Sequence, residues 1–109
     1  MNSKRKGNAG ESEVLHILQQ HGYQACRNDQ TFVGGMERPD ISLDLNGIRF
    51  HVEVKRQEHL RLHEAMDQAI RDANGKAVPV VIHRRNREPW QISMLLDDWL
   101  ICQGRDANQ

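Results

Sequence analysis

The stretch DISLDLNGIRFHVEVK, residues 40–55, decides the fold of this chain. Apolar and polar residues alternate on both sides of the dipeptide Asn46-Gly47. Two alternating runs separated by Asn-Gly are the strongest short-range signal for a β-hairpin, because the two-residue turn needs positive φ angles that Asn and Gly tolerate. The pattern therefore predicts two antiparallel strands with one apolar face and one polar face. The apolar positions are Ile41, Leu43, Leu45, Ile48, Phe50, Val52 and Val54.

The tight turn also fixes which residues face each other across the hairpin, since Leu45 must then lie opposite Ile48. Counting outward from the turn places Asp40 opposite Glu53 on the polar face. Opposed like charges, with Cβ atoms roughly 4.5–5.5 Å apart, destabilise a strand pair, so a divalent cation between them would relieve the repulsion. Carboxylate oxygens suit Mg²⁺ or Mn²⁺. Lys55, two residues past Glu53, projects from the same face.

Two carboxylates on a cation beside a lysine form an arrangement that can cleave phosphodiesters. The cation polarises the phosphate and lowers the pKa of a bound water, and the lysine orients that water or offsets developing negative charge. The alternative is an exposed strand pair whose opposed acids splay apart into solvent. The spacing alone leaves both interpretations open.

The remaining patterns predict a single α/β domain over residues 9–103, between flexible termini at residues 1–8 and 104–109. The predicted order is one helix, three strands, one helix, two strands and one helix. Besides the hairpin, helices are predicted over about residues 9–21, 59–74 and 97–102, and strands over 23–27, 78–83 and 90–94.

Composition excludes several classes of protein. The chain has 109 residues and no apolar run near the ~20 residues of a membrane span. Its start, MNSKRKGNAG, lacks the apolar core of a signal peptide, and its two cysteines form no CxxC, which together favour the cytoplasm. With 15 basic and 15 acidic residues the formal net charge is zero, so binding of nucleic acid would depend on where the charges lie.

Pro39-Asp40, followed thirteen residues later by Glu53-Val54-Lys55, resembles the PD-(D/E)xK signature of the restriction-endonuclease-like superfamily. The N-terminal half is similar to archaeal-type Holliday junction resolvases and to small phage and bacterial nucleases of the superfamily. The residues that carry this likeness are RKGNAGE at 5–11 and the apolar and His-Gly-Tyr positions of 14–27. The resemblance spans about residues 4–99, and it implies a mixed central sheet flanked by helices.

The resemblance further implies a Mg²⁺-dependent DNA endonuclease, with Mn²⁺ able to substitute. Its active set would be Glu11, Asp40, Glu53 and Lys55. Asp40 and Glu53 would be metal ligands, and Lys55 the catalytic lysine. Glu11 would contribute an outer carboxylate through water.

One further catalytic position follows from the resemblance, and the helix carboxylate has two candidates. Glu13 competes with Glu11, and the Gly7-to-Glu11 spacing of the resolvases favours Glu11. Related nucleases often place a glutamine on the helix after the ExK strand, facing the site. Gln68 matches that position, although a solvated helix glutamine explains it equally well.

One segment departs from the resolvase pattern. Archaeal resolvases carry a serine a few residues before the catalytic aspartate, whereas the positions here are Gly34, Gly35, Met36 and Glu37, with Thr31 the nearest hydroxyl. The loop is also longer than the resolvase pattern requires. The departure bears on selectivity for junctions and leaves the phosphodiester chemistry intact.

Two dense basic clusters are candidate contacts to DNA. Charge runs are usually solvated surface, but in a nuclease they grip phosphates and release counterions. The candidates are Lys4, Arg5, Lys6, Arg84, Arg85 and Arg87.

A zinc site is the competing interpretation of another pattern. His59, His63 and Asp67 recur at intervals of four residues, but without HExxH or a nearby cysteine a solvated helix face is favoured.

The expected partners are DNA, branched or duplex, and a second copy of the chain. The homodimer is implied by the resemblance, since resolvases cut two strands symmetrically, and apolar surface around residues 94–101 would serve it. Two alternatives remain open. One is a structure- or end-specific nuclease without preference for four-way junctions, and the other is a non-catalytic nucleic-acid-binding subunit with a nuclease fold.

Overall fold

The computed structural model describes residues 3–27 and 36–107, with side chains for 9–27 and 36–103. Within these residues a five-stranded mixed sheet carries three helices, which confirms the predicted α/β class and element order. The elements are α1 Ser3–Gln20, β1 Gln24–Cys26, β2 Ile41–Leu45, β3 Ile48–Arg56, α2 Leu62–Ala73, β4 Val78–Arg84, β5 Gln91–Met94 and α3 Leu96–Ala107.

The hairpin between β2 and β3 has the predicted register. Asn46 and Gly47 take φ angles of 53° and 79°, as a tight turn with two left-handed residues requires. The ladder runs from Leu45–Ile48 at the turn to Ile41–Val52 at its far end. Because β3 continues to Arg56, its last four residues extend beyond β2 toward the candidate site.

The crossover from β3 to β4 places the ends of these two strands together. The strand order is β1-β2-β3-β4-β5, and β3 and β4 are parallel while the other neighbours are antiparallel. Parallel strands need a long connection, which α2 provides. Lys55 of β3 therefore lies beside His83 of β4 at the edge of the sheet where α2 begins.

The two faces of the sheet pack against different helices. The apolar face of the hairpin packs with Val14 of α1, and with Val80 and Ile82 of β4, in the main core. On the other face, Ala65 and Ala69 of α2 pack against Val81. These small side chains bring α2 close to the face that carries the polar residues of β3.

The helix ends differ from the sequence prediction. Helix α1 begins at Ser3 and α3 continues to Ala107, so much of both terminal segments is helical where irregular chain was expected. Helix α2 begins at Leu62 rather than near His59. Apolar periodicity locates only the packed part of a helix, so its polar end turns leave no signal. Across the described residues, no helix is both long and apolar enough to cross a bilayer.

Candidate active site

Asp40 lies immediately before β2, and its side chain turns toward the backbone of β3. Its Oδ2 accepts a hydrogen bond from the Val54 N–H at 2.9 Å. Burial and the neighbouring Glu53 charge raise the pKa of Asp40 from 3.8 to about 6, although the Val54 hydrogen bond and the Lys55 charge oppose the shift. Asp40 is therefore a desolvated carboxyl group that faces another carboxylate.

Glu53 lies on the α2 face of β3, between Asp40 and a buried histidine. Its side chain is 15% exposed, and its Oε1 lies 2.8 Å from Nε2 of His51. Lys55 is two residues further along β3, close enough for its charge to lower the pKa of Asp40. The structure thus brings together Asp40, Glu53 and Lys55, as the hairpin register predicts.

Glu11 reaches this group from α1. Burial and the charge of Asp40 raise the pKa of Glu11, while Arg27 partly offsets the rise. Arg27 Nη2 lies 3.2 Å from Glu11 Oε1, and its Nη1 donates to Ser12 at 3.2 Å. Arg27 therefore holds the Glu11 carboxylate near Asp40.

Glu13 points to a different part of the molecule. Its Oε1 lies 3.1 Å from Arg84 Nη2 and accepts from Trp90 Nε1 at 3.2 Å, and its Oε2 lies 3.7 Å from Arg56 Nη1. Burial raises the pKa of Glu13, but the hydrogen bonds from Arg84 and Trp90 and the nearby charges outweigh it and lower the pKa overall. Of the two candidate glutamates, Glu11 is the one beside the central carboxylates.

Gln68 lines a cleft next to Lys55. The side chain is exposed on α2, so it is both solvated and directed into this space. The cleft has a volume of about 320 Å³. Its other lining residues are Gln57, His59, Leu60, Arg61, Glu64 and Ala65.

The arginines of the second basic cluster are not equivalent. Arg84 is 12% exposed, because it pairs with Glu13 and its guanidinium lies 5.1 Å above the Trp90 ring. Arg85 is 60% exposed, although its Nε lies 2.7 Å from Glu88 Oε2. Arg87 is exposed in a turn, with φ of 63°. Arg85 and Arg87 are therefore accessible to DNA. Arg84 has a structural role in binding Glu13, and its contact with phosphate stays a prediction.

Other predicted positions lie outside the described part of the molecule. The side chains of Lys4, Arg5 and Lys6 are not described, and neither is the segment 28–35 with Thr31 and the two glycines. The contacts of this first basic cluster with DNA and the comparison with the resolvase serine stay predictions.

The zinc pattern does not assemble. His59 precedes α2 and so does not share its helical face, and His63 and Asp67 are exposed. Among the described residues, these three form no group whose ligand atoms come together. The favoured interpretation, a solvated helix face, is consistent with this geometry.

Sequence reasoning missed two residues near the centre. His51 is fully buried, and Asp72 lies on α2 four residues after Gln68. Ligand atoms of His51, Glu53 and Asp72 all lie within 4.8 Å of one another. The position of His51 on the same strand face as Glu53 was available as a signal, whereas Asp72 joins the group only through the packing of α2.

A family model described as "Phage putative PDDEXK endonuclease" matches residues 2–107. The chain belongs to this PDDEXK endonuclease family. Its fold is similar to that of Hjc, a Holliday junction resolvase from the archaeal hyperthermophile Archaeoglobus fulgidus. The TM-score is 0.61 at 25% sequence identity, over 81% of this chain and 76% of that chain. No protein of curated function matches.

These comparisons confirm the resemblance to PD-(D/E)xK nucleases and the restriction-endonuclease-like fold. They support a DNA endonuclease at the level of the PDDEXK family.

The raised pKa of Asp40 predicts a pH-dependent loss of stability in the metal-free protein. In the folded state the Asp40 carboxyl group keeps its proton up to about pH 6, whereas the ordinary pKa of an aspartate is 3.8. The free energy of unfolding therefore falls as pH rises through this window. Asp40→Asn removes the charge, so at pH 7.5 with chelator it should stabilise the protein by about 1–2 kcal/mol, after allowance for partial solvation.

The measurement is urea unfolding at pH 4 and pH 7.5. Asp44→Asn is the matched control, because Asp44 is exposed on β2, four residues after Asp40, and its contact with Arg49 at 3.8 Å is a solvent-exposed ion pair. A destabilised Asp40→Asn variant at pH 7.5 without metal would contradict the repulsion described above.

Proposed function

We propose that this PDDEXK family member is a Mg²⁺-dependent endonuclease that hydrolyses DNA phosphodiester bonds, with Mn²⁺ able to substitute. The observation that carries the proposal is the position of the half-buried Asp40 carboxyl group, which accepts from the Val54 N–H at 2.9 Å and faces Glu53 beside Lys55. Burial and the Glu53 charge accordingly raise the pKa of Asp40 to about 6. A carboxyl pair held together in this way is a functional-site feature, since it costs stability unless a cation binds.

The donor set fits a hard divalent cation. Asp40 and Glu53 would hold the cation, and Glu11 would reach it through water. Mg²⁺ typically takes one or two protein carboxylates and keeps several waters, which matches this set. When bound, the cation supplies the charge that polarises the phosphate and makes a bound water more acidic.

The protein's own groups supply position and charge. Lys55 is placed to orient the attacking water and to offset negative charge on the phosphate. Gln68 lines the same cleft and offers amide donors to a phosphate or a water. Arg27 holds Glu11 in place through the 3.2 Å contact.

For the substrate we propose branched DNA, with a role in DNA recombination. Support comes from the similarity to Hjc of Archaeoglobus fulgidus, a Holliday junction resolvase. A structure- or end-specific nuclease without this preference is the alternative, favoured by the departure before Asp40. A non-catalytic subunit is disfavoured, because the opposed acids would then only destabilise the fold.

Asp40→Asn should abolish Mg²⁺-dependent cleavage and leave DNA binding largely unchanged. The substitution removes a proposed metal ligand, while binding rests on the basic residues, so we expect at least about a 100-fold loss of rate. Labelled junction, fork, linear duplex and single strand are incubated in parallel, and affinity is measured in chelator.

Asp44→Asn should cleave like the wild type. Equal cleavage by the Asp40 and Asp44 variants would refute the assigned site. Cleavage of all four substrates at similar rates would instead refute only the junction preference.

Replacing Arg85 and Arg87 with alanine should weaken DNA binding and flatten its dependence on salt. Each lost phosphate contact lowers the slope of log affinity against log salt by about 0.9, so the double variant should lose up to about 2. Arg84→Ala is measured separately, since its loss also breaks the contact with Glu13.

The charge control is Lys76→Ala. Lys76 is exposed just before β4, at the end of the sheet away from the arginines. An unchanged salt slope in the double variant would remove this turn from the DNA interface.

We further propose a homodimer that forms through β5 and α3. This region exposes a group of large apolar side chains, and such surfaces mark interaction sites. They are Ile92 at 59%, Leu95 at 43%, Leu96 at 69%, Trp99 at 47%, Leu100 at 49% and Ile101 at 62%. Two copies would present two active sites, as symmetric cleavage of two strands requires.

Leu96→Glu should convert the dimer to a monomer in sedimentation velocity, because a charge would enter an apolar interface. Gln20→Glu, at the exposed end of α1, should leave the mass unchanged. A wild-type protein that is monomeric at about 100 μM would contradict the interface.

A further inference from the structure

His51 is a buried polar residue in the layer between the sheet and α2. It is 0% exposed on β3, and its Nε2 lies 2.8 Å from Glu53 Oε1. Its Nδ1 is buried and has no hydrogen-bond partner among the described residues. An unpaired buried ring nitrogen destabilises the folded state, so stability alone gives no reason for a histidine here.

Asp72 approaches the same point from α2. Buried Ala69 and Ala73 flank it along the helix and allow the close packing of α2 on the sheet. The Asp72 carbonyl accepts the Glu37 N–H at 2.9 Å, which ties the segment before Asp40 to this turn of the helix. Asp72 is thus fixed in position, and its half-buried carboxylate belongs to the group with His51 and Glu53.

We propose that His51, Glu53 and Asp72 form a second divalent-cation site, adjacent to the Asp40–Glu53 position and sharing Glu53 with it. The proposal rests on the proposed function only through this shared carboxylate. Mg²⁺ prefers oxygen ligands, whereas Mn²⁺ also accepts an imidazole nitrogen. Because this ligand set includes the His51 imidazole, the site should prefer Mn²⁺ over Mg²⁺.

The spacing of the ligand atoms suits one ion. Neighbouring ligands at bond lengths near 2.1 Å in an octahedral site are about 3 Å apart, and opposite ligands about 4.2 Å. His51 Nε2 and Glu53 Oε1 are 2.8 Å apart, close to the first value, and a cation bound by both atoms would displace the hydrogen-bonding proton from between them. The ligand atoms of the whole group lie within 4.8 Å of one another, close to the second value. Small side-chain adjustments would therefore complete the site.

Electron paramagnetic resonance of bound Mn²⁺ tests the proposal without any substrate. The expected result for the 109-residue chain is two Mn²⁺ per chain, one of them coupled to a histidine nitrogen. Asp72→Asn should weaken the nitrogen-coupled ion at least about 10-fold. Asp67→Asn, the same change on the exposed face of α2, should have no effect.

Two other variants separate the sites. Asp40→Asn should retain the nitrogen-coupled ion. His51→Gln should lose the nitrogen signal. Because His51 is buried, this variant can fail to fold, and Asp72→Asn then serves as the test of the second site. His59→Gln controls for surface histidines, and its signal should equal that of the wild type.

A wild type saturated with Mn²⁺ but without nitrogen coupling would overturn the second site, and so would an Asp72→Asn variant that binds like the wild type. If Asp40-dependent cleavage persists in that case, the proposed function stands alone. A nitrogen-coupled ion in a protein that cleaves no DNA would support the second cation site and refute the proposed endonuclease function.

Discussion

The pairing of β2 with β3 around Asn46-Gly47 is the constraint on which the site depends. With the observed register, the side chains of His51, Glu53 and Lys55 lie on the α2 face, while the alternate apolar residues enter the main core. A slip of one residue would exchange the two faces and bury the charges among the apolar side chains. The apolar core therefore enforces the geometry of the acidic group.

That geometry holds the two carboxylates of Asp40 and Glu53 close enough to repel each other. The fold desolvates Asp40 and holds it against Glu53, and burial, followed by the charge of its neighbour, raises its pKa to about 6. By contrast, Glu13 is paired: it binds Arg84 at 3.1 Å and so fastens α1 to the end of β4. A fold that holds two acids together in this way, at a cost in stability, indicates a site for a cation.

The sequence predicted the parts of the molecule that short-range patterns determine. Alternation and the Asn-Gly turn were sufficient to place Asp40 near Glu53, and the family resemblance added Glu11. Contacts between distant segments were not predictable. Arg84 meets Glu13 across 71 residues, and Asp72 reaches His51 only because α2 packs against the sheet. The helix ends were also missed, since polar terminal turns carry no apolar periodicity.

The most direct measurement is anomalous diffraction from crystals grown with Mn²⁺. The expected map has a peak within bonding distance of both the Asp40 and Glu53 carboxylates, at about 2.2 Å. The contradicting result is a map without anomalous density between these two groups, at saturating Mn²⁺ and with both side chains ordered. It would refute the central claim that Asp40 and Glu53 bind a divalent cation.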